Sequence, residues 1–301
     1  MSSSPAAASA PSGMAAWALA ARPRTLVAGL VPVAVGSALA FRDHGFVLPV
    51  ALAALAGALL IQIGTNLAND YFDFRRGADT SERVGPPRAS QQGWLKPEAV
   101  FRGALVCFGA ATAIGGYLVA VGGWPLLVIG LSSVAAGYLY TGGPAPLGYL
   151  GLGEVFVLLF FGFVAVGGTY LVQVGHLTPD VVFGALAVGM PGVALLAVNN
   201  LRDREGDAKV SKRTLVVRFG AGFGRFEYVA AVVIAASAPV IGVALGRFSF
   251  AALGSLLALP LAWPAIRLVF NARGAALNQA LAATAKFQLV FGLLFAWGVS
   301  R

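Results

Sequence analysis

Charge is scarce in this chain: of 301 residues only 11% are Asp, Glu, Lys or Arg, less than half the share usual in a soluble domain. A soluble enzyme is therefore excluded. Cysteine is almost absent, Cys107 being the only one, so neither a disulfide framework nor a cysteine metal site exists. There are only two histidines, His44 and His176. No G-X-Y period accompanies the 39 glycines and 16 prolines, which excludes collagen. Both residues are tolerated in transmembrane helices, where neighbouring helices repair lost backbone hydrogen bonds. Aromatic-basic motifs are missing too, so the net charge of +9 does not mark a nucleic-acid binder.

What the chain does have is long apolar runs, near 26–41, 48–69, 99–121, 124–140, 152–172, 181–200, 228–246, 250–270 and 281–299. Each is about the length a helix needs to cross a bilayer. The reading is an all-α polytopic membrane protein with nine spans and a lipid bilayer for its surroundings. Gly122, Gly123, Trp124 and Pro125 form a tight turn between spans three and four. Residues 1–13 read as a polar, disordered, uncleaved tail, and 14–301 as a single transmembrane domain. With nine spans, one side receives every basic residue of the 21 except Arg42, Arg247 and Arg301. The positive-inside rule then places the N-terminus and two polar loops, 70–98 and 201–227, in the cytoplasm. That orientation fits a bacterial cytoplasmic membrane. His44 and His176 fall on the outer side as solvated loop residues.

Two aspartate clusters begin inside apolar spans. In NLANDYFDFRRGAD, Asn66, Asp70 and Asp73 stand at i, i+4 and i+7 and share a helical face. In NNLRDREGD, Asn199, Asp203 and Asp207 stand at i, i+4 and i+8. Asn66 and Asp70 are thus matched by Asn199 and Asp203, which points to a pseudo-repeat of two four-helix units around a central cavity. A carboxylate costs about 2.5–3.5 kcal/mol at the centre of a span and less near its end. These aspartates need partners, either arginines such as Arg75, Arg202 and Arg204 or cations held between the two clusters. Oxygen-only donors suit a hard divalent ion, and Mg²⁺ fits best because it completes its shell with water and phosphate oxygens. Arg76, Arg88, Lys209, Lys212 and Arg213 would then bind an anionic diphosphate. The chemistry that follows is ionisation of an allylic diphosphate with a long hydrocarbon tail in lipid, and attack by an aromatic acceptor.

On these paired motifs the chain resembles the UbiA superfamily of intramembrane prenyltransferases along almost its whole length. The resemblance implies a nine-helix fold with a cavity opening to the bilayer, and two Mg²⁺ ions. It also implies diphosphate-metal binding by Asn66, Asp70, Asp73, Asn199, Asp203 and Asp207. Three runs, ARPRTL, NDYFDFRRGADTSERVGPPR and NNLRDREGDAKVSKRTLVVRFG, are most similar to the branch that prenylates 1,4-dihydroxy-2-naphthoate in menaquinone synthesis. Tyr140 is followed by TGGPAPLGYLGLGE, without the basic pair typical of the 4-hydroxybenzoate branch. The implied partners are a polyprenyl diphosphate and an aromatic acceptor that loses CO₂ on prenylation. By position, Tyr140 and Tyr149 would then stabilise an allylic cation, and Glu154 would orient or deprotonate the acceptor.

Arg24 anchors an interfacial helix, MAAWALAA, and Arg22 either shares that role or reaches the diphosphate. Pro191 and Gly192 precede Asn199 and offer a kink that aims the second motif. Homogentisate is the rival acceptor. A cation-coupled transporter is the rival class, but it would place its acids deep in the spans rather than at their ends beside basic loops. The spans are uniformly apolar, so neither prenyl chain length nor oligomeric state leaves a mark in the sequence.

Overall fold

The computed structural model describes residues 11–79 and 83–301, and every regular element among them is helical. Most of the expected tail, residues 1–10, lies outside the described residues. Lipid offers no partner to a free N–H or C=O, and a helix satisfies its own, so long continuous apolar runs of this kind cross as helices. Among the described residues seven helices are long and apolar enough to cross a membrane. They are α3 (Leu48–Arg75), α4 (Pro97–Gly122), a composite Gly153–Val174, α8 (Asp180–Lys209), α9 (Leu215–Ala244), a composite Phe250–Asn271, and Gly274–Val299, whose α-helical part is α11 (Leu277–Val299). α1 (Met14–Ala20) and α2 (Val27–Arg42) belong to a bent pair with a 52° break, which counts as one broken span. α5 (Trp124–Leu139) is apolar but only 16 residues long. These positions are compatible with nine crossings.

The two composite spans depart from regular α-helix. The first runs from α6 (Gly153–Val157) through a π-helical stretch, Leu158–Val164, into α7 (Ala165–Val174). The second is a 3-10 run, Phe250–Ala262, followed by α10 (Trp263–Asn271). The π stretch packs on α8 through glycine. A Cβ on Gly189 would come within 2.9 Å of the Gly162 Cα, so the backbones approach as closely as small-residue membrane crossings allow.

The polar segments are more helical than the hydropathy pattern predicts. α3 carries its aspartates in continuous helix as far as Arg75, and α8 runs unbroken through Pro191 to Lys209. Residues 201–227, expected as a loop, hold only the short turn between Lys209 and Leu215. Thr214 caps the next helix by accepting from the Val217 N–H at 3.3 Å. Gly220, with φ 86°, then kinks α9 one turn in, in a left-handed conformation that favours glycine. Local i,i+4 patterning outweighs polarity here, because a helix that continues past the membrane edge keeps its own hydrogen bonds.

Two apolar clusters build the bundle. The larger joins α2, α7, α8, α9, α11 and the 3-10 run, with Tyr170, Tyr228, Phe287, Phe291 and Phe295 fully buried. α8 is the most deeply buried span. The smaller cluster joins the ends of α1, α3 and α4 through Ala20, Leu67, Ala68, Val100, Ala104 and Phe108. The polar ends of α3 and α8 lie at the same end of the molecule.

Candidate active site

The ends of α3 and α8, the loop after α3 and the turn after α8 enclose a cavity of about 700 Å³. Of the residues singled out above, Asp73, Arg88, Asn199, Asp203, Asp207, Lys209 and Lys212 line it. The i,i+4 spacing of the α8 stripe puts Asn199, Asp203 and Asp207 on the face turned to the cavity. Asp79, Arg83 and Arg202 join them.

Each acid is held by named partners. Asp73 accepts the Tyr149 hydroxyl at 2.9 Å on Oδ1 and pairs with Arg88 at 2.9 Å on Oδ2. Asp79 pairs with Arg83 and, at 3.0 Å, with Arg88. Arg88 also donates to the Asn69 carbonyl at 2.6 Å, so one guanidinium ties the loop to α3. Arg202 grips both oxygens of Asp203, donates to Asn199 Oδ1 at 2.7 Å and reaches Asn278 Oδ1 at 2.9 Å. Lys212 lies 3.3 Å from Asp207 Oδ1. Asp207 Oδ2 is buried with no hydrogen-bond partner.

The remaining candidates frame the cavity instead of lining it. Asp70 is 1% exposed, and its two oxygens accept the Ala89 and Ser90 backbone N–H groups at 2.9 and 3.1 Å. It fastens the loop that presents Arg88. Asn66 donates to the Ala21 carbonyl at 3.0 Å and to Thr25 Oγ1 at 2.8 Å, pinning the segment before α2. In that segment Arg22 adopts φ 53°, with its NH2 buried and without a hydrogen-bond partner. Arg76 donates to the Thr141 and Gly143 carbonyls and covers the Tyr149 ring at 5.2 Å. Lys212 Nζ stands 5.7 Å from the centroid of the same ring. Arg213 is exposed, and its N–H donates to the Tyr149 carbonyl at 2.9 Å. Glu154, buried at the start of α6, accepts from Asn200 at 2.8 Å.

Electrostatics sort these groups. Burial, then the Asp73 charge and the hydrogen bond to it, push the Tyr149 phenol above its ordinary range, so Tyr149 remains a donor. Burial also raises Asp79 despite Arg88 and Arg83. Among the described residues no three Asp, Glu, His or Cys side chains stand together as a ready metal cluster. The donors nevertheless fit Mg²⁺ in kind, because they are carboxylate and amide oxygens, and the Asp207 oxygen lacks a partner.

Sequence reasoning missed Asn69 and Thr141, joined at 2.7 Å, the Asn278 contact to Arg202, and buried Gln62. Asn200 sits beside Asn199 in a doubled asparagine, which was the available signal. The others carry none, since tertiary packing alone brings them in. His44 and His176 lie at the opposite end, with the His176 ring 6.4 Å from that of Tyr170.

The family described as the UbiA prenyltransferase family matches residues 29–298. The 1,4-dihydroxy-2-naphthoate octaprenyltransferase of Haemophilus influenzae is 34% identical over 297 residues, covering 94% of this chain and 95% of that one. The apo structure of a UbiA homolog from Aeropyrum pernix K1 superposes with a TM-score of 0.71 at 15% identity, over 91% of this chain and 97% of that one. A UbiA homolog from Archaeoglobus fulgidus bound to GPP and Mg²⁺ gives 0.63 at 14% identity, over 93% and 99%.

Proposed function

The chain belongs to the UbiA prenyltransferase family, and we propose that it transfers a polyprenyl group from an allylic diphosphate to 1,4-dihydroxy-2-naphthoate. The immediate product is the quinol, demethylmenaquinol, the reduced form of demethylmenaquinone in menaquinone biosynthesis. The observation that supports this reading is the cavity in which the carboxylates of α3 and α8 meet Arg88, Arg202, Lys209 and Lys212, a mixed set suited to a metal-diphosphate head group. The cavity faces the cytoplasm of a bacterial cell, by the excess of basic residues at that end.

Bond changes balance without an oxidant. The donor C–O bond breaks and its electron pair leaves on the diphosphate. The ring carbon bearing the carboxylate forms the new C–C bond, and the carboxylate departs as CO₂, its bonding pair restoring the ring. When bound, Mg²⁺ neutralises the diphosphate and eases its departure. Asp73, Asp203 and Asp207 would hold it, with Asp70, Asn66 and Asn199 completing or orienting that set, and two ions are expected. Arg88, Lys209 and Lys212 bind diphosphate oxygens, and Arg22 supplies a further N–H from the segment pinned by Asn66. Arg76 and Arg213 set the loop that carries Tyr149. Tyr149 holds Asp73 in place through its phenol. Tyr140 offers a π face to the allylic cation, and Glu154, held by Asn200, orients an acceptor hydroxyl.

The test is prenyl transfer by purified protein in liposomes, with geranylgeranyl or longer diphosphate and 1,4-dihydroxy-2-naphthoate, with and without EDTA. A decarboxylated prenyl naphthoquinol that requires Mg²⁺ is expected. Product from homogentisate alone would overturn the acceptor. Inertness toward every prenyl diphosphate would overturn the reaction and favour transport.

A further inference from the structure

Two of the oxygen donors on the α8 stripe, Asp203 and Asn199, are taken by a single guanidinium. Arg202 donates through Nε to Asp203 Oδ1 at 2.8 Å, and through Nη2 to Asp203 Oδ2 at 2.6 Å and Asn199 Oδ1 at 2.7 Å. Its Nη1 goes to Asn278 Oδ1 at 2.9 Å. The side chain is 2% exposed, so water competes little for these bonds. Asp207, one turn further along α8, differs: Lys212 holds one of its oxygens and the other has no partner. The stripe thus presents one open carboxylate and one closed one. Arg88 does not close Asp73 in the same way, because it shares that carboxylate with Tyr149.

The guanidinium is also fixed from outside α8. Asn278, at the start of α11, spends its Nδ2 on the Val84 carbonyl at 3.1 Å while its Oδ1 receives Arg202. Val84 belongs to the loop after α3, and the next residue, Gly85, lies against the guanidinium: a Cβ there would stand 2.8 Å from Nη2. An exposed ion pair opens readily. A buried bidentate pair does not, since parting it leaves a carboxylate unpaired in a poorly solvated place.

We propose that Arg202 is a resident counter-ion that keeps the α8 motif closed to a divalent cation arriving alone and yields it when a diphosphate arrives to take the guanidinium. The proposal rests on the metal-dependent prenyl-transfer reading. Arg202 is then a positioning residue that sets the order of binding. A second cation brought to the same three oxygens is repelled by the first, and a lone divalent ion offers the guanidinium no acceptor in exchange. A diphosphate does, because a guanidinium binds phosphate oxygens in the same forked manner as a carboxylate. Arg202 already lines the cavity in which that exchange would occur. The consequence is coupling: cation and diphosphate each raise the affinity of the other, and by the same factor.

The experiment measures Mn²⁺ binding by electron paramagnetic resonance to purified protein in detergent, without diphosphate and then with inorganic pyrophosphate. It compares wild type, Arg202→Met, Asn278→Ala and Arg204→Met. Methionine removes the charge and keeps an unbranched stem. Arg204 lines the same cavity and serves as the control for loss of one positive charge there. Without pyrophosphate, Arg202→Met is expected to bind Mn²⁺ about fivefold or more tightly than wild type, the lower end of coupling between two sites. The gain on adding pyrophosphate should shrink correspondingly. Asn278→Ala leaves the ion pair but removes its anchor on α11, so it should shift both quantities less and in the same direction. Arg204→Met should behave as wild type. If Arg202→Met does not fold, with Asp203 left unpaired, Asn278→Ala carries the test. Unchanged or weaker binding without pyrophosphate in the Arg202 and Asn278 variants would overturn the proposal, by showing that Arg202 organises the donors instead of closing them. An equal gain in Arg204→Met would also overturn it, as a general effect of cavity charge. Failure of every protein to bind Mn²⁺, even with pyrophosphate, would overturn the metal-diphosphate reading, and this proposal with it.

Discussion

Asp70 and Asp207 belong to the two aspartate stripes but meet different demands. Asp70 spends both oxygens on the backbone N–H groups of Ala89 and Ser90. An asparagine there offers one acceptor and turns an NH₂ toward an N–H, leaving a buried donor unpaired at a cost of about 1–3 kcal/mol. Asp207 has one oxygen near Lys212 and the other without a partner, so its replacement disturbs little of the fold. Asp70→Asn is therefore expected to lower the melting temperature in detergent by several degrees as well as turnover. Asp207→Asn should abolish Mg²⁺-dependent turnover with the melting temperature nearly unchanged. The reverse pattern, measured on the same preparations, would show that the two residues have been assigned the wrong way round. The sequence could not separate these roles. Spacing placed Asn66, Asp70 and Asp73 on one face, but the partner of Asp70 is a pair of backbone amides about twenty residues on, which no side-chain pattern encodes.

Helical elements were legible wherever apolar length or i,i+4 spacing imposed them. α8 turns Asn199, Asp203 and Asp207 to the cavity, whereas of the α3 stripe only Asp73 lines it, and the π stretch and the long 3-10 run have no counterpart in a hydropathy pattern. The far ends of α2, α7 and α8 are joined by a polar cluster at the end where the sequence singled out only His44 and His176, as solvated loop residues. Arg42 donates to Asp43 at 2.8 Å and pairs with Asp180 at 2.6 Å, and Arg247 pairs with Asp180 at 2.6 Å. Tyr170 donates to Asp43 as well. Topology brings these together, because Arg42, Asp180 and Arg247 are remote in the chain. Burial raises the Asp43 carboxyl, but the hydrogen bonds from Arg42 and Tyr170 more than offset it and leave the group below its ordinary range. A lowered folded-state value means that the stabilisation is present above the unfolded value of about 3.9. It is lost as pH falls through the lower folded value. The gap in melting temperature between wild type and Asp43→Asn should be widest near neutral pH and close below about pH 4. A gap that stays constant through that range would show that the Asp43 charge contributes nothing.

At the scale of the whole molecule, charge and shape divide the bundle into unlike ends. The end holding the large cavity gathers Arg83, Arg88, Arg202, Lys209, Lys212 and Arg273, whereas the far end keeps Arg42 and Arg247 locked to acids. Basic residues near span ends resist translocation, so the cavity end should remain cytoplasmic and meet the acceptor and the donor's diphosphate head from that side. Cys107, the only cysteine, makes this testable. In a Cys107→Ala background, Gln92→Cys and Leu177→Cys place one exposed thiol at each end. A membrane-impermeant maleimide added to intact right-side-out vesicles should label position 177 and spare position 92 until the vesicles are opened. Inverted vesicles should give the opposite result. Labelling of position 92 from outside would turn the molecule over, and with it the compartment from which the diphosphate and acceptor enter. The fold and the paired motifs would stand, because both rest on helix contacts that do not depend on which way the bundle faces.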